Sequence, residues 1–278
     1  MNLDPLLDTP PPRYAIESDD EEDEYNPLHS SPLEPHLIVD VNVVGDLPKK
    51  SKLVLATGEV AKYWARGANL GEQNGGIYVN KIQIGSIFNP VWTTATVVIS
   101  ETLTRLPAWA MHDYARVILN TLNPTKLSLL DMYAVPSYVS EDLVKTSNAP
   151  LRYIATSAVG PELTSEAEPF LPPNLIQSVS ASFLLLISTK YGPIPGTLIL
   201  VPSLHIPQAP PKAITPSNYS RLSGEEFEWS RDHIDIMQRL IFLAIGEKEL
   251  PGWEYDQSYP KEHVLKGSYQ FGEGGMYI

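Results

Sequence analysis

TTATVVISETLTRLPAWAMHDYARVILNTLNPTKLSLLDMY, residues 93–133, changes period twice. Thr93–Ser100 is β-branched and apolar, as a buried strand requires. Pro107 then opens a stretch in which Ala110, Tyr114, Val117, Ile118 and Leu122 recur at helical spacing, and Asn123-Pro124 stops it. Leu127–Tyr133 is apolar and strand-like again. A strand, a helix and a second strand in this order predict an α/β fold.

Working outward, further strands are expected over Leu37–Val44, Lys52–Thr57, Ile77–Phe88 with a break, Tyr153–Ser157 and Thr197–Val201. A second helix is expected after Pro172-Pro173. It carries Leu175, Ile176, Val179, Phe183, Leu186 and Ile187 up to Gly192-Pro193, and its later turns are apolar nearly all round, which predicts burial. A third is expected to start at a capping box of Ser223 and Glu226, with Phe227, Ile234, Met237, Ile241, Ala244 and Ile245 as its apolar stripe and Gly246 at its end. The expected architecture is a single α/β domain over residues 35–266, with a mixed β-sheet covered by helices. Pro202–Pro216, with Pro210-Pro211, reads as a rigid, extended surface loop.

The ends of the chain differ in composition. Of the net charge of −13 across 278 residues, the run Glu17–Glu24 holds seven carboxylates, and removing them takes the charge to −6. Six prolines surround that run within residues 10–35, and few large apolar groups lie near it. Residues 1–34 are therefore expected to form a disordered acidic leader, either a solvated tail or a segment that docks on a basic surface or is phosphorylated at Ser18 or Ser31. Residues 267–278 are expected to form a flexible tail. It ends in Gly272-Glu273-Gly274-Gly275-Met276-Tyr277-Ile278, where a hydrophobic residue, a tyrosine and a carboxylate follow a glycine tether. That ending suits capture in a blind pocket. Folding back on the domain, or fraying, is the plain alternative.

Hydrophobic residues at 43% supply a core, and the absence of cysteine excludes disulfide and thiolate chemistry. The acidity argues against sequence-independent nucleic-acid binding and against an anionic membrane surface. The first residues lack a secretory pattern and no run approaches about 18 apolar residues, so a soluble intracellular protein is expected. Phosphate-loop, nucleophile-elbow, metal-helix and dinucleotide motifs are missing. His29, His36, His112, His205, His233 and His263 lack ligand-like spacing, so no metal or other cofactor is expected. Gly67, Gly71, Gly75 and Gly76 read as a flexible turn. The strand Tyr153–Ser157 runs into Ala158-Val159-Gly160, the kind of place where α/β folds bind ligands, or else a tight turn.

Met276-Tyr277-Ile278 fits the hydrophobic–tyrosine–any-residue terminus of proteins that dock on the outer ring of the proteasome core particle. With the acidic leader, the cysteine-free acidic body and the glycine tether, the chain resembles the fungal proteasome assembly chaperone 1 family. The resemblance implies a non-enzymatic chaperone that forms a heterodimer with a second assembly chaperone and binds the outer face of the α-subunit ring. Its tail would enter a pocket between α subunits, promote ring assembly and block premature activator docking. The Ile278 carboxylate would pair with a lysine, Tyr277 would pack and hydrogen-bond, Met276 would fill an apolar recess, and Gly272, Gly274 and Gly275 would give reach. A cytoplasmic location, with the nucleus as a second one, follows from the same resemblance. Two rival readings are a small-molecule-binding α/β enzyme using the loop after Ser157, and an adaptor whose carboxy terminus is read by a PDZ-like domain.

Overall fold

The computed structural model describes residues 39–45, 47, 51–140, 149–192, 194–216 and 229–254. Nine strands form one mixed sheet: β1 (Val41–Gly45), β2 (Lys52–Thr57), β3 (Gln73–Val79), β4 (Ile82–Phe88), β5 (Ala95–Ser100), β6 (Lys126–Ala134), β7 (Arg152–Ala155), β8 (Glu168–Pro169) and β9 (Gly196–Ser203). Their spatial order is β1-β3-β4-β5-β2-β6-β9-β7-β8. At the centre β5, β2, β6 and β9 run parallel. Antiparallel pairs extend the sheet through β4 on one side and β7 on the other.

Among the described residues the α-helices are α1 (Gly58–Ala65), α2 (Ala108–Leu122), α3 (Pro161–Thr164), α4 (Val179–Thr189) and α5 (Arg231–Leu243). Alternation along the central strands divides them between two faces. Val54 and Ala56 of β2, Val97 and Ile99 of β5, and Ile199 and Val201 of β9 pack with the apolar faces of α1 and α5. Leu53, Leu55, Val98, Leu198 and Leu200 point the other way, into a second core with α2 and α4. Period-two strands buried on both faces read as continuous apolar runs, which is how they appear in the sequence.

The expected mixed sheet with helices over its faces is the observed one, and several local boundaries differ. The expected strand Ile77–Phe88 is a hairpin, β3 and β4, turned by Asn80 and Lys81. Both residues have positive φ (49° and 68°), the geometry of a tight primed turn. Gly75 and Gly76 belong to β3 rather than to a flexible turn. Gly67 lies against the Trp253 indole, where an added Cβ would come within 2.5 Å of the ring. The helix expected to include Leu175 and Ile176 begins at Val179; Leu175 is 78% exposed. Its Leu185 is 55% exposed, so α4 buries its inner face alone. The capping box at Ser223 and Glu226, with Phe227, lies outside the described residues. The cap observed is Ser230, whose hydroxyl accepts from the His233 backbone N–H.

After α5 the chain turns at Gly246 (φ 81°), with the Glu247 N–H bonded to the Phe242 carbonyl in a Schellman arrangement. Glu247 then gathers donors from two strand starts. Lys52 Nζ donates at 3.1 Å, Thr93 Oγ1 at 2.6 Å and the Thr94 N–H at 3.2 Å, and the Thr94 hydroxyl also donates. Burial alone would raise this carboxyl; the bonds from Thr93, Thr94 and Lys52 outweigh it and hold the pKa below the ordinary glutamate value. A depressed carboxyl contributes stability above its unfolded pKa and loses it as pH falls. Glu247→Ala is expected to cost about 2–4 kcal/mol at pH 7, the loss of several charge-assisted bonds, and to flatten the acid limb of stability against pH. Urea unfolding of both forms between pH 3 and pH 7 checks this.

Candidate functional site

In an open α/β sheet the place for chemistry is the crevice at the carboxyl ends of the parallel strands. Here that edge carries Thr57 at the end of β2, Glu101 directly after β5, and Asp131 in β6. The loop from 101 to 106 leads into α2 and crosses the edge. Glu101 has a left-handed backbone (φ 56°), rare for a residue with a side chain. Its carboxyl accepts from the Leu106 N–H at 2.7 Å through Oε1 and meets the Thr57 hydroxyl at 3.0 Å through Oε2. Beneath it Ser100 and Tyr114 share a 2.8 Å hydrogen bond between hydroxyls.

Asp131 makes the companion arrangement. Its Oδ1 accepts from the Met132 N–H at 2.7 Å, and its Oδ2 accepts from Ser178 and Ser180 at 2.5 and 2.9 Å. Ser178 is the residue before α4 and Thr57 the residue before α1, the positions from which a hydroxyl ordinarily caps the helix. Neither caps; both hydroxyls serve the acids instead.

Burial raises the Glu101 pKa from 4.5 to about 7; the bonds from Leu106 and Thr57 pull it down, the charge of Asp131 pushes it up and Arg105 lowers it. Burial also raises Asp131, against the bonds from Ser178, Met132 and Ser180. Asp131 thus has three donors and the partly buried Glu101 has two.

The loop after Ser157 lies elsewhere. Because β7 is antiparallel to β9, its end falls beside the start of β9: Ala155 pairs with Thr197, and the Thr156 N–H bonds to the Gly196 carbonyl. Ala158-Val159-Gly160 is thus at the amino edge of the parallel strands, a turn into α3 whose Val159 packs on the core. The loop does not sit at the carboxyl edge, where Glu101 and Asp131 lie, and it takes the alternative reading of a tight turn. Sequence reasoning passed over both acids, although a carboxylate at or just past the end of an apolar strand is a readable signal.

Met276, Tyr277, Ile278, Gly272, Gly274 and Gly275 lie outside the described residues. Where the described body ends is well defined. Residues 251–253 run back along α5, with Gln238 Nε2 donating to the Pro251 carbonyl and the Trp253 N–H to Asp235. Trp253 is 4% exposed, its indole N–H donates to the Trp64 carbonyl at 2.9 Å, and its ring stacks on Tyr63 at 5.5 Å. The Glu254 N–H bonds to the Gly67 carbonyl. His112 is on α2, His205 follows β9 and His233 is on α5; among the described residues no three His, Asp or Glu side chains gather as a metal-binding group. No described helix is long and apolar enough to cross a membrane.

No protein-family model and no curated protein matches the chain. Among solved structures it is similar to Pyrococcus furiosus PbaA, an archaeal homolog of proteasome-assembly chaperone. The identity is 13% and the TM-score 0.43, over 59% of this chain and 77% of that one. It is also similar to Pyrococcus furiosus PbaB, an archaeal proteasome activator (11%, TM-score 0.42, 59% and 80%). A third similarity is to the Campylobacter jejuni 5'-methylthioadenosine/S-adenosyl homocysteine nucleosidase (10%, TM-score 0.33, 70% and 96%).

A carboxyl raised by burial favours the folded state while it is protonated. That stability is complete below the unfolded pKa of 4.5, declines as pH rises and is gone above about 7. Glu101→Gln keeps an acceptor for Leu106 and a donor for Thr57 without titrating. The variant is expected to match wild type near pH 4.5 and to exceed it at pH 8 by roughly 1–3 kcal/mol. Thermal unfolding of the two proteins at both pH values measures the crossover.

Proposed function

We propose that this chain is a proteasome core-particle assembly chaperone that pairs with a second assembly chaperone and binds the outer face of the α-subunit ring. The observation that carries the reading is the terminal Met276-Tyr277-Ile278 on its glycine tether. Its carboxylate and tyrosine are the elements a lysine-bearing inter-subunit pocket recognises, and a thioether fits an irregular apolar recess. Inserted there, the tail promotes ring assembly and occupies pockets that activators use. The chaperone performs no covalent step, and it works in the cytoplasm and the nucleus.

The anchoring of Trp253 gives this proposal a mechanical basis. A buried indole fixes the point from which residues 255–278 depart, and 24 residues span at most about 80 Å. Three terminal residues bury too little surface to bind tightly alone. The body must supply most of the contact and hold the tail at high effective concentration near its pocket.

A second reading, a small-molecule-binding α/β enzyme, draws on Glu101 and Asp131 at the carboxyl edge. Against it stands the engagement of all four carboxyl oxygens by the chain itself. Groups spent on tying loops are not free to meet a substrate. For the adaptor reading the discriminating residue is Tyr277, because strand addition reads the last residue and alternate neighbours.

The test is binding of the co-expressed chaperone pair to purified core-particle intermediates. Removal of Met276, Tyr277 and Ile278 is expected to weaken binding at least tenfold, about 1.4 kcal/mol, with circular dichroism unchanged. Tyr277→Ala and a single glycine added after Ile278 should each give a comparable loss. Equal binding by intact and truncated forms removes the tail from the mechanism; no binding by either overturns the chaperone assignment.

A further inference from the structure

The proline-rich stretch after β9 has no part in the sheet or in the proposed docking of the tail. It runs Ile206-Pro207-Gln208-Ala209-Pro210-Pro211-Lys212, and its backbone is dictated nearly residue by residue. Pro207, Pro210 and Pro211 each fix φ at about −65°. Ile206, Ala209 and Pro210 each precede a proline, which drives them to an extended ψ. Between Ile206 and Pro211 only Gln208 escapes both constraints. Such a segment takes the polyproline II form, and residues 206–211 accordingly belong to no helix or strand of the structure.

A period of three sorts the side chains into ridges. Ile206, Ala209 and Lys212 share one, Pro207 and Pro210 the next, Gln208 and Pro211 the third. Two adjoining ridges therefore present the apolar–proline pairs Ile206-Pro207 and Ala209-Pro210 in succession and end on a lysine. The body displays this arrangement. Residues 204–209 and Lys212 are exposed, Ile206 to 65%, while Pro210 and Pro211 are half-buried. The segment is held by its carbonyls: Arg105 donates to those of Gln208 and Ala209 at 2.5 and 3.3 Å, and the Trp109 indole N–H donates to that of Lys212 at 3.0 Å. These bonds grip the main chain and fix its path before anything binds, which lowers the ordering entropy a partner must offset. Lys212 is the only lysine, arginine or acid between Pro202 and Pro216, so the complementary group at that end is a carboxylate.

We propose that residues 206–212 are a docking site for a partner domain of the SH3 type, whose groove of aromatic rings takes the two apolar–proline pairs and whose acidic pocket takes Lys212. The lysine on the carboxyl side of the prolines sets the direction in which the segment lies in the groove. The site is separate from Met276-Tyr277-Ile278 and does not depend on the role proposed for them.

Calorimetric titration of the full chain tests the site. The probes are purified SH3 domains that select a basic residue after the second proline, set beside SH3 domains that select one before the first. The former are expected to bind with a dissociation constant on the order of 10–100 µM, and the latter at least about tenfold more weakly. Pro207→Ala, Pro210→Ala and Lys212→Glu should each weaken binding about tenfold, whereas Gln208→Ala, on the third ridge, should change it less than about twofold. Circular dichroism and Tm are expected to match wild type in all four variants. Should a proline variant disturb the fold, Lys212→Glu on an exposed side chain still decides. The site is overturned if no domain of the first set binds the wild-type chain below about 1 mM. Binding that survives Lys212→Glu, or that Gln208→Ala weakens as much as Lys212→Glu does, overturns it equally.

Discussion

The parallel pairing of β2 with β5 and β6 is the constraint on which everything else hangs. Of its six residues, Leu53–Thr57 are buried, and the strand is bonded on both sides, so it has no edge and no solvent face. Leu53 and Leu55 belong to one core and Val54 and Ala56 to the other. A slip of one residue would exchange the two sets and misfit both helix layers at once. The register also fixes where Thr57 stops, and that stop positions the hydroxyl Glu101 needs.

From this strand the carboxyl edge follows as a problem in polar bookkeeping. Strands ending beside one another leave backbone groups and helix starts close together, and each must find a partner. Thr57 and Ser178 could have capped α1 and α4; they instead bond acids that tie loops to the sheet. The amino edge is settled differently, by Glu247 reaching from the end of α5 to Lys52, Thr93 and Thr94. The two glutamates are both part of the scaffold, yet burial outweighs the bonds at one and not at the other. Glu247 has a lysine and three further donors, and its pKa is held down; Glu101 has two donors and the charge of Asp131 to contend with, and burial pushes it up to about 7.

What the sequence reveals and conceals follows the length of each signal. Helix α2 is legible because Pro107, five apolar positions and Asn123 all agree, and Asn123 takes the left-handed geometry (φ 42°) that such an end requires. Helix α1 escapes notice because eight residues give Val60, Ala61 and Trp64 barely two turns in which to show a period. The Ile77–Phe88 hairpin hides because Asn80-Lys81 is not among the glycine-bearing pairs that advertise a two-residue turn. Leu175 and Ile176 extend the helical pattern of α4 without joining it, since Asn174 is engaged with the Val139 backbone at 2.7 and 2.8 Å and holds that segment in a loop. The acids at the carboxyl edge were hidden for another reason. Their significance depends on which strands lie side by side, and strand order is not written in any one segment.

The same logic separates the body from its tail. A side chain whose bonds are all made within the fold is explained by folding, and Glu101, Asp131, Glu247 and Trp253 are of that kind. Folding does not require a methionine, a tyrosine and an isoleucine after a run of glycines, because glycine lowers the gain from packing whatever follows it and raises the entropy lost. A sequence that places large apolar groups beyond such a tether spends binding capacity where intramolecular packing returns least. That arrangement accords with the proposed docking role, in which a partner's pocket would supply the packing surface and the anchored Trp253 would set the reach of the tail.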